Sequence, residues 1–140
     1  MELTKKQAIE EHRKMWNWIA ERIKIYQLKK LFSLPNYNWL SLISDLKYYY
    51  LYDVKKQVFD GLNNNCFCCE YARNKSDYAY YDTGICRHCP IVWSGSDKTC
   101  CGVFGEYGEL ISLHGYSDEN KEKAYKLALK IANLPEREGV

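Results

Sequence analysis

The chain has 140 residues, a length that suits a single domain. Hydrophobic residues make up 46% of it and aromatic residues 15%, so it can fill a core and lacks the composition of a disordered protein. The formal net charge is +2, and no stretch approaches the roughly 18 consecutive apolar residues of a membrane-spanning helix.

The N-terminal segment has the pattern of a long amphipathic helix. Thr4 and Gln7 have the spacing of a capping box, in which each side chain bonds the backbone of the other. Mostly apolar residues then recur at helical spacing: Ala8, His12, Met15, Trp16, Ile19, Ile23 and Tyr26. We predict one helix from Thr4 to about Phe32, ending before Pro35, with His12 packed in the core rather than bound to a metal.

A second helix is predicted from about Asn38 to about Leu51. Its apolar residues are Trp39, Leu40, Leu42, Ile43, Leu46 and Tyr50. The apolar residues Val54, Val58 and Phe59 either continue this helix or belong to a third short one that Gly61 closes. Tyrosines cluster at positions 48–50 and 78–81, where they indicate either half-buried packing or an adhesive protein-binding surface.

All seven cysteines fall in one stretch in the middle of the chain, and four of them form a C-x2-C-x16-C-x2-C pattern. Two cysteines three apart in a tight turn aim both sulfurs at one point, and two such turns complete a tetrahedron with Zn–S bonds of about 2.3 Å. We therefore predict one structural Zn²⁺ with four ligands: Cys66, Cys69, Cys86 and Cys89. Cys68 should point away from that centre.

Alternatives to this ligand set remain open. His88 lies inside the second cysteine pair, and Cys100 or Cys101 is placed to replace one of the four ligands. A disulfide framework is a further alternative, but the number of cysteines is odd. The N-terminal residues MELTKK also lack the apolar core of a signal peptide, so we expect reduced thiols in a cytosol.

The remaining segments complete a mainly α fold. Residues 71–74 are expected to form a helical turn after the first cysteine pair, and no long regular structure is expected between Ser94 and His114. A last helix begins at Ser117, buries Ala124, Leu127, Ala128, Ile131 and Leu134, and is closed by Pro135. We expect a single domain, 1–140, in which an irregular four-cysteine zinc-knuckle region (63–116) separates N-terminal helices (1–62) from a C-terminal helix (117–135).

Five segments together resemble a known group of proteins: 16–20 (WNWIA), 66–72 (CFCCEYA), 86–93 (CRHCPIVW), 100–102 (CCG) and 128–135 (ALKIANLP). In this order they are similar to small zinc-binding proteins encoded by bacteriophages and prophages. The likeness spans nearly the whole chain and is weakest over residues 42–59. Look-alikes of such phage families include anti-CRISPR proteins that block type II Cas9. The resemblance implies a protein of the bacterial host cytoplasm whose partner is a host protein, such as Cas9 or its guide-RNA complex.

The sequence bears on three classes of function: an enzyme, a nucleic-acid-binding regulator and a protein that acts by binding another protein. An enzyme is not expected, because a site closed by four cysteines leaves no position for substrate and the three histidines (His12, His88 and His114) are scattered. A zinc-ribbon-like phage regulator that binds nucleic acid is the alternative. Four thiolates and one Zn²⁺ would bring the formal charge from +2 to near zero, which disfavours it. We therefore expect a phage interaction protein that inhibits a host defence protein by stoichiometric binding, through a surface that the sequence does not identify.

Overall fold

The computed structural model describes residues 3–55, 67–75, 88–94 and 105–140. In these ranges the chain forms six α-helices and one π-helical segment, with no strands, so the predicted mainly helical fold is confirmed. An isolated antiparallel bridge joins Ile91 to Glu136. The expected zinc-binding region, 63–116, is described only at 67–75, 88–94 and 105–116.

Helix α1 spans Lys5–Ile25 and begins with the predicted capping box, in which Thr4 Oγ1 accepts from the Gln7 backbone and Gln7 Oε1 accepts from the Thr4 amide. The prediction that it continues to Phe32 is wrong. At Tyr26 the backbone is extended, with ψ of 147°, and the short helix α2 follows at Leu28–Leu31. This break redirects the chain so that Leu28 becomes fully buried.

Helix α3 spans Trp39–Tyr49 and is capped by Asn38, whose side-chain oxygen accepts from the Ser41 amide. It continues without interruption into the π-helical segment Tyr50–Val54, where the Lys55 amide bonds the Tyr50 carbonyl oxygen at 3.0 Å. The predicted third helix, with Val58, Phe59 and Gly61, lies outside the described residues.

Helix α4 spans Phe67–Lys75, so it begins earlier than the helical turn expected at 71–74 and contains two cysteines. Helix α5, Glu106–Ile111, forms where only loops were expected, and Gly105 precedes it as an extended N-cap. Helix α6, Asp118–Ala132, begins as predicted at Ser117, whose hydroxyl accepts from the Asn120 amide at 3.0 Å.

Helix α1 is the centre of the fold, since it packs against α3, α4 and α6, while α5 packs against α3 and α6. The described residues of these helices share one hydrophobic core, whose largest fully buried side chains include Trp16, Trp39, Phe67 and Met15. His12 is buried as expected, and its Nε2 donates to the Ile131 carbonyl oxygen at 2.9 Å. No helix within the described ranges is long and apolar enough to cross a membrane.

Candidate functional site

Cys68 and Cys69 are neighbours in sequence but differ in burial. Cys69 belongs to the first predicted ligand pair, whereas Cys68 does not. Cys68 and Cys69 are consecutive residues of α4, so their side chains leave the helix about 100° apart. Cys68 is 0% exposed and belongs to the hydrophobic core together with Phe67 and Tyr71. Cys69 is partly exposed. The two cysteines thus differ in burial, and the assignment of Cys69 rather than Cys68 as a ligand stays a prediction.

The segment that carries Cys89 is held at both ends by the rest of the fold. The Val92 amide donates to the Pro135 carbonyl oxygen and the Arg137 amide donates to the Pro90 carbonyl oxygen, each at 2.8 Å. At the other end, the Ser94 amide donates to Glu106 Oε2 at 3.0 Å. Cys89 itself is 7% exposed. Its position is therefore set by the chain that follows α6 and by the start of α5.

Only half of the predicted ligand set falls in the described ranges. Cys69 and Cys89 are described, whereas Cys66 and Cys86 lie outside, as do the alternative ligands Cys100 and Cys101. Among the described residues, no group of three or more His, Cys, Asp or Glu side chains is arranged to hold a metal ion. The two described members of the predicted set come one from each pair, Cys69 on a helix and Cys89 on an anchored segment. The single Zn²⁺ remains a prediction.

Glu106 is a buried, hydrogen-bonded acidic residue that the sequence-based predictions did not include. Its carboxylate is 2% exposed, accepts from the Ser94 amide and lies 3.6 Å from Lys130 Nζ. Burial opposes its ionisation, but hydrogen bonds from Ser94 and from its own backbone, with the Lys130 charge, outweigh burial and lower the pKa of this carboxyl. The available signal was an acidic residue directly after Gly105, since acids favour helix N-termini. Glu106 joins the Cys89 segment to α5 and α6.

Replacing this carboxylate tests its role in holding the cysteine segment. Glu106→Gln should lower the free energy of unfolding at neutral pH by about 1 kcal/mol, the difference between a charged and a neutral hydrogen bond. Because the folded-state pKa is lowered, the stabilisation is present above the unfolded-state pKa and is lost as pH falls through the folded-state value. The difference between variant and wild type should therefore shrink in acid, as measured by urea unfolding. Glu109→Gln, at an exposed position of the same helix, is the control, and equal losses in the two variants would contradict the assignment.

The tyrosine run at 48–50 divides between the core and the surface. Tyr50 is 4% exposed, and burial together with the charge of Glu11 raises its pKa to about 12. Tyr48 and Tyr49 are instead 58% and 49% exposed, and Tyr52, one turn later, is 43% exposed. We call Tyr48, Tyr49 and Tyr52 the tyrosine surface. One tyrosine of this run is therefore buried and two are exposed, and the binding-surface interpretation stays a prediction. The run at 78–81 lies outside the described residues.

The rings of the tyrosine surface are packed against neighbours rather than extended separately into solvent. Tyr48 and Tyr52 have ring centroids 4.4 Å apart, and Tyr49 stacks on Trp18 of α1 at 5.9 Å with an interplanar angle of 9°. The neighbouring Val54 is also exposed. These contacts hold the exposed rings in place at the junction of α3 and the π-helical segment.

Comparison with known proteins adds no relative. No protein-family model matches the chain, and neither a curated protein nor a solved structure does. The likeness to small phage zinc proteins therefore depends on the five sequence segments alone.

Proposed function

We propose that this protein is a phage-encoded, zinc-stabilised interaction protein that binds and inhibits a host defence protein in the bacterial cytoplasm, most concretely a Cas9 effector. The observation that supports this function is the tyrosine surface. Tyrosine is enriched in protein interfaces, and a contiguous exposed aromatic patch usually marks a site of interaction. Because the rings already pack against one another and against Trp18, little side-chain entropy remains to be lost when a partner binds.

Zinc has a structural part in this proposal. Bound by Cys66, Cys69, Cys86 and Cys89, it would cross-link the α4 region to the segment that Glu106 and the residues after α6 hold in place. A site closed by four thiolates has no open coordination position, so the ion supplies folding free energy and no reaction centre. The tyrosine surface lies on other elements, α3 and the π-helical segment, where its rings are exposed.

The buried titratable side chains whose contacts are known also have structural roles. His12 donates to a backbone carbonyl oxygen of α6, and Glu106 accepts from Ser94. Both side chains are almost fully buried, so we assign them structural roles in this proposal.

A second candidate function has one observation in its favour. The guanidinium of Arg22 lies 5.5 Å from the Trp18 ring centroid, beside the stack of Trp18 on Tyr49. Aromatic rings combined with arginine are the elements of surfaces that bind single-stranded nucleic acid. A nucleic-acid-binding phage regulator would use this group, and its affinity would fall steeply with salt concentration.

Titration against a nuclease tests the main proposal. The zinc-loaded protein, added to a Cas9–guide complex with target DNA, should inhibit cleavage with a plateau near one equivalent and leave the nuclease chemically unchanged. Full inhibition at a small fraction of an equivalent would indicate catalysis. Absence of inhibition at large excess would exclude that nuclease as the target.

The double variant Tyr48→Ala/Tyr52→Ala tests whether the tyrosine surface is the surface that binds the nuclease. Both side chains are exposed, so the double variant should keep its zinc and its thermal stability while inhibition is lost. Tyr125→Ala, on α6, removes a tyrosine from a different face and should inhibit like the wild type. Binding of guide RNA or DNA alone, lost in Arg22→Ala, would instead support the nucleic-acid regulator.

A further inference from the structure

The charges that border the tyrosine surface are acidic. Tyr49 lies four residues from both Asp45 and Asp53, so the two carboxylates flank it by about one helical turn on either side. Both aspartates are exposed. Asp45 accepts a hydrogen bond from the Tyr37 hydroxyl at 3.0 Å, and neither aspartate forms an ion pair within the part of the chain that the structure describes.

The basic side chains described near this surface are engaged elsewhere. Lys55 Nζ pairs with Glu11 at 3.0 Å, and the guanidinium of Arg22 lies over Trp18 and pairs with Glu21 at 3.4 Å. The Nζ atom of Lys47 lies over the rings of Trp16 and Tyr107. These contacts compensate or direct away the positive charges of Lys55 and Arg22, whereas within the described ranges the two aspartates have no ion-pair partner beside the exposed rings.

A contact elsewhere in the protein shows a chemical group that aromatic rings bind. Lys47 Nζ lies 4.5 Å from the Tyr107 ring centroid and 5.3 Å from that of Trp16, a cation held by two aromatic rings. Cations are attracted to the faces of tyrosine and tryptophan. The rings of the tyrosine surface carry no such cation among the described residues, and they have carboxylates beside them. Rings and carboxylates therefore favour the same ligand group, a lysine or arginine side chain.

From this charge complementarity we propose that the tyrosine surface docks on a basic protein surface, one that presents lysine and arginine side chains between Asp45 and Asp53. The inference rests on the proposed function and states the class of partner. The three tyrosines expose 58%, 49% and 43% of their surface, roughly 300 Å² in all at about 200 Å² per ring residue. A typical interface buries about 800 Å² per partner, so the rings would form its centre and the aspartates part of its polar rim.

The same charges disfavour two other occupants. Nucleic acid would bring phosphates against the two carboxylates, and the nearby Lys55 and Arg22 are paired with Glu11 and Glu21. A second copy of this chain, paired through this surface about a two-fold axis, would place the same acidic residues on both sides of the interface. Like charges in an interface are destabilising.

Amide chemical-shift mapping of the full zinc-loaded chain tests the partner class with defined probes. The probes are a short peptide rich in lysine and arginine, a peptide of equal length with glutamate at those positions, and a short single-stranded DNA. The basic peptide should shift amides of α3 and the π-helical segment, around Tyr48, Tyr49 and Tyr52. Its Kd should rise about tenfold or more in Asp45→Lys/Asp53→Lys, because a favourable charge on each side becomes repulsive.

The charge-matched control is Glu10→Lys/Glu138→Lys, which makes the same change in net charge at exposed positions elsewhere and should bind the basic peptide nearly as the wild type does. The inference is overturned if the two double variants lose affinity equally, if DNA or the glutamate peptide shifts the same amides, or if these amides report only self-association.

The nuclease titration separates this inference from the proposed function. If Asp45→Lys/Asp53→Lys still inhibits Cas9 fully, the partner class is wrong while the function stands. If the basic peptide binds the tyrosine surface but no defence nuclease is inhibited, the function fails and the partner class stands.

Discussion

Replacing Cys69 or Cys89 by serine is expected to release the bound zinc and unfold the cysteine region, the largest single-residue effect in this chain. Apparent binding free energies of structural zinc in zinc-finger peptides are about 10–16 kcal/mol at neutral pH, and this energy is also folding energy. Removing one of four thiolates opens the tetrahedron, so most of that contribution is lost. Metal analysis should change from one zinc per chain to less than a stoichiometric amount, and a strong chelator should unfold the wild type to a similar extent.

Cys68→Ala is the matched control, because Cys68 is adjacent in sequence and yet lies in the core. This variant should keep its zinc and lose about 1 kcal/mol of unfolding free energy, the cost of removing a small buried group. If Cys68→Ala loses the metal and Cys69→Ser retains it, the ligand set is shifted by one residue. Two zinc ions per chain, or none, would contradict the single-site prediction.

Trp16→Ala is expected to cost about 3–5 kcal/mol, as truncation of a core aromatic residue does. Trp16 is 2% exposed, meets the edge of Tyr107 at 6.1 Å and has Lys47 Nζ over its ring. The variant therefore loses packing in the core and one of the two aromatic rings that lie against the Lys47 ammonium group. Thermal or denaturant unfolding of the zinc-loaded protein measures the loss.

Trp18→Ala, two residues along the same helix, separates stability from binding. Trp18 is half-buried and stacks on Tyr49, so its removal should cost less than about 2 kcal/mol while it loosens the tyrosine surface. Inhibition of the partner should weaken more in Trp18→Ala than in Trp16→Ala once both are compared at a temperature where they are folded. Unchanged stability of Trp16→Ala, with loss of binding, would place Trp16 in the interface instead.

Helix starts could be predicted from the sequence because their chemistry is local. Thr4, Asn38 and Ser117 each cap the helix that follows with a side-chain oxygen, as their positions before apolar runs indicate. The break after α1 could not be predicted in this way. The Tyr26 carbonyl oxygen there accepts from Lys121 Nζ of α6 at 3.1 Å, a partner far away in the chain. The pattern of apolar residues contains no information about such a contact.

The candidate site likewise combines features that the local sequence predicts with features that depend on distant contacts. The spacing of the cysteines predicts a ligand set, since a metal site made of paired turns has a local signature. The local signature of helix α5 is limited to an acidic residue after Gly105, because two glycines lie in or beside that helix. The bond of the Glu106 carboxylate to Ser94 has no local signature, because Ser94 belongs to a separate segment. The tyrosine run allowed both a core and a surface interpretation. Only the packing of Tyr50 against the core decides which of its members remain exposed.

The π-helical segment makes the arrangement of the exposed tyrosine rings sensitive to the loss of a single residue. A π-helix accommodates one residue more per turn than the α-helix around it. Removing one residue from it would leave an ordinary α-helical turn and rotate Tyr52 by about 100° relative to Tyr48. Loss of a single codon here would therefore rearrange the exposed rings without changing the sequence of α1 or α6. If these rings form the proposed binding surface, one deletion would alter its contacts while the sequence of the other helices persists.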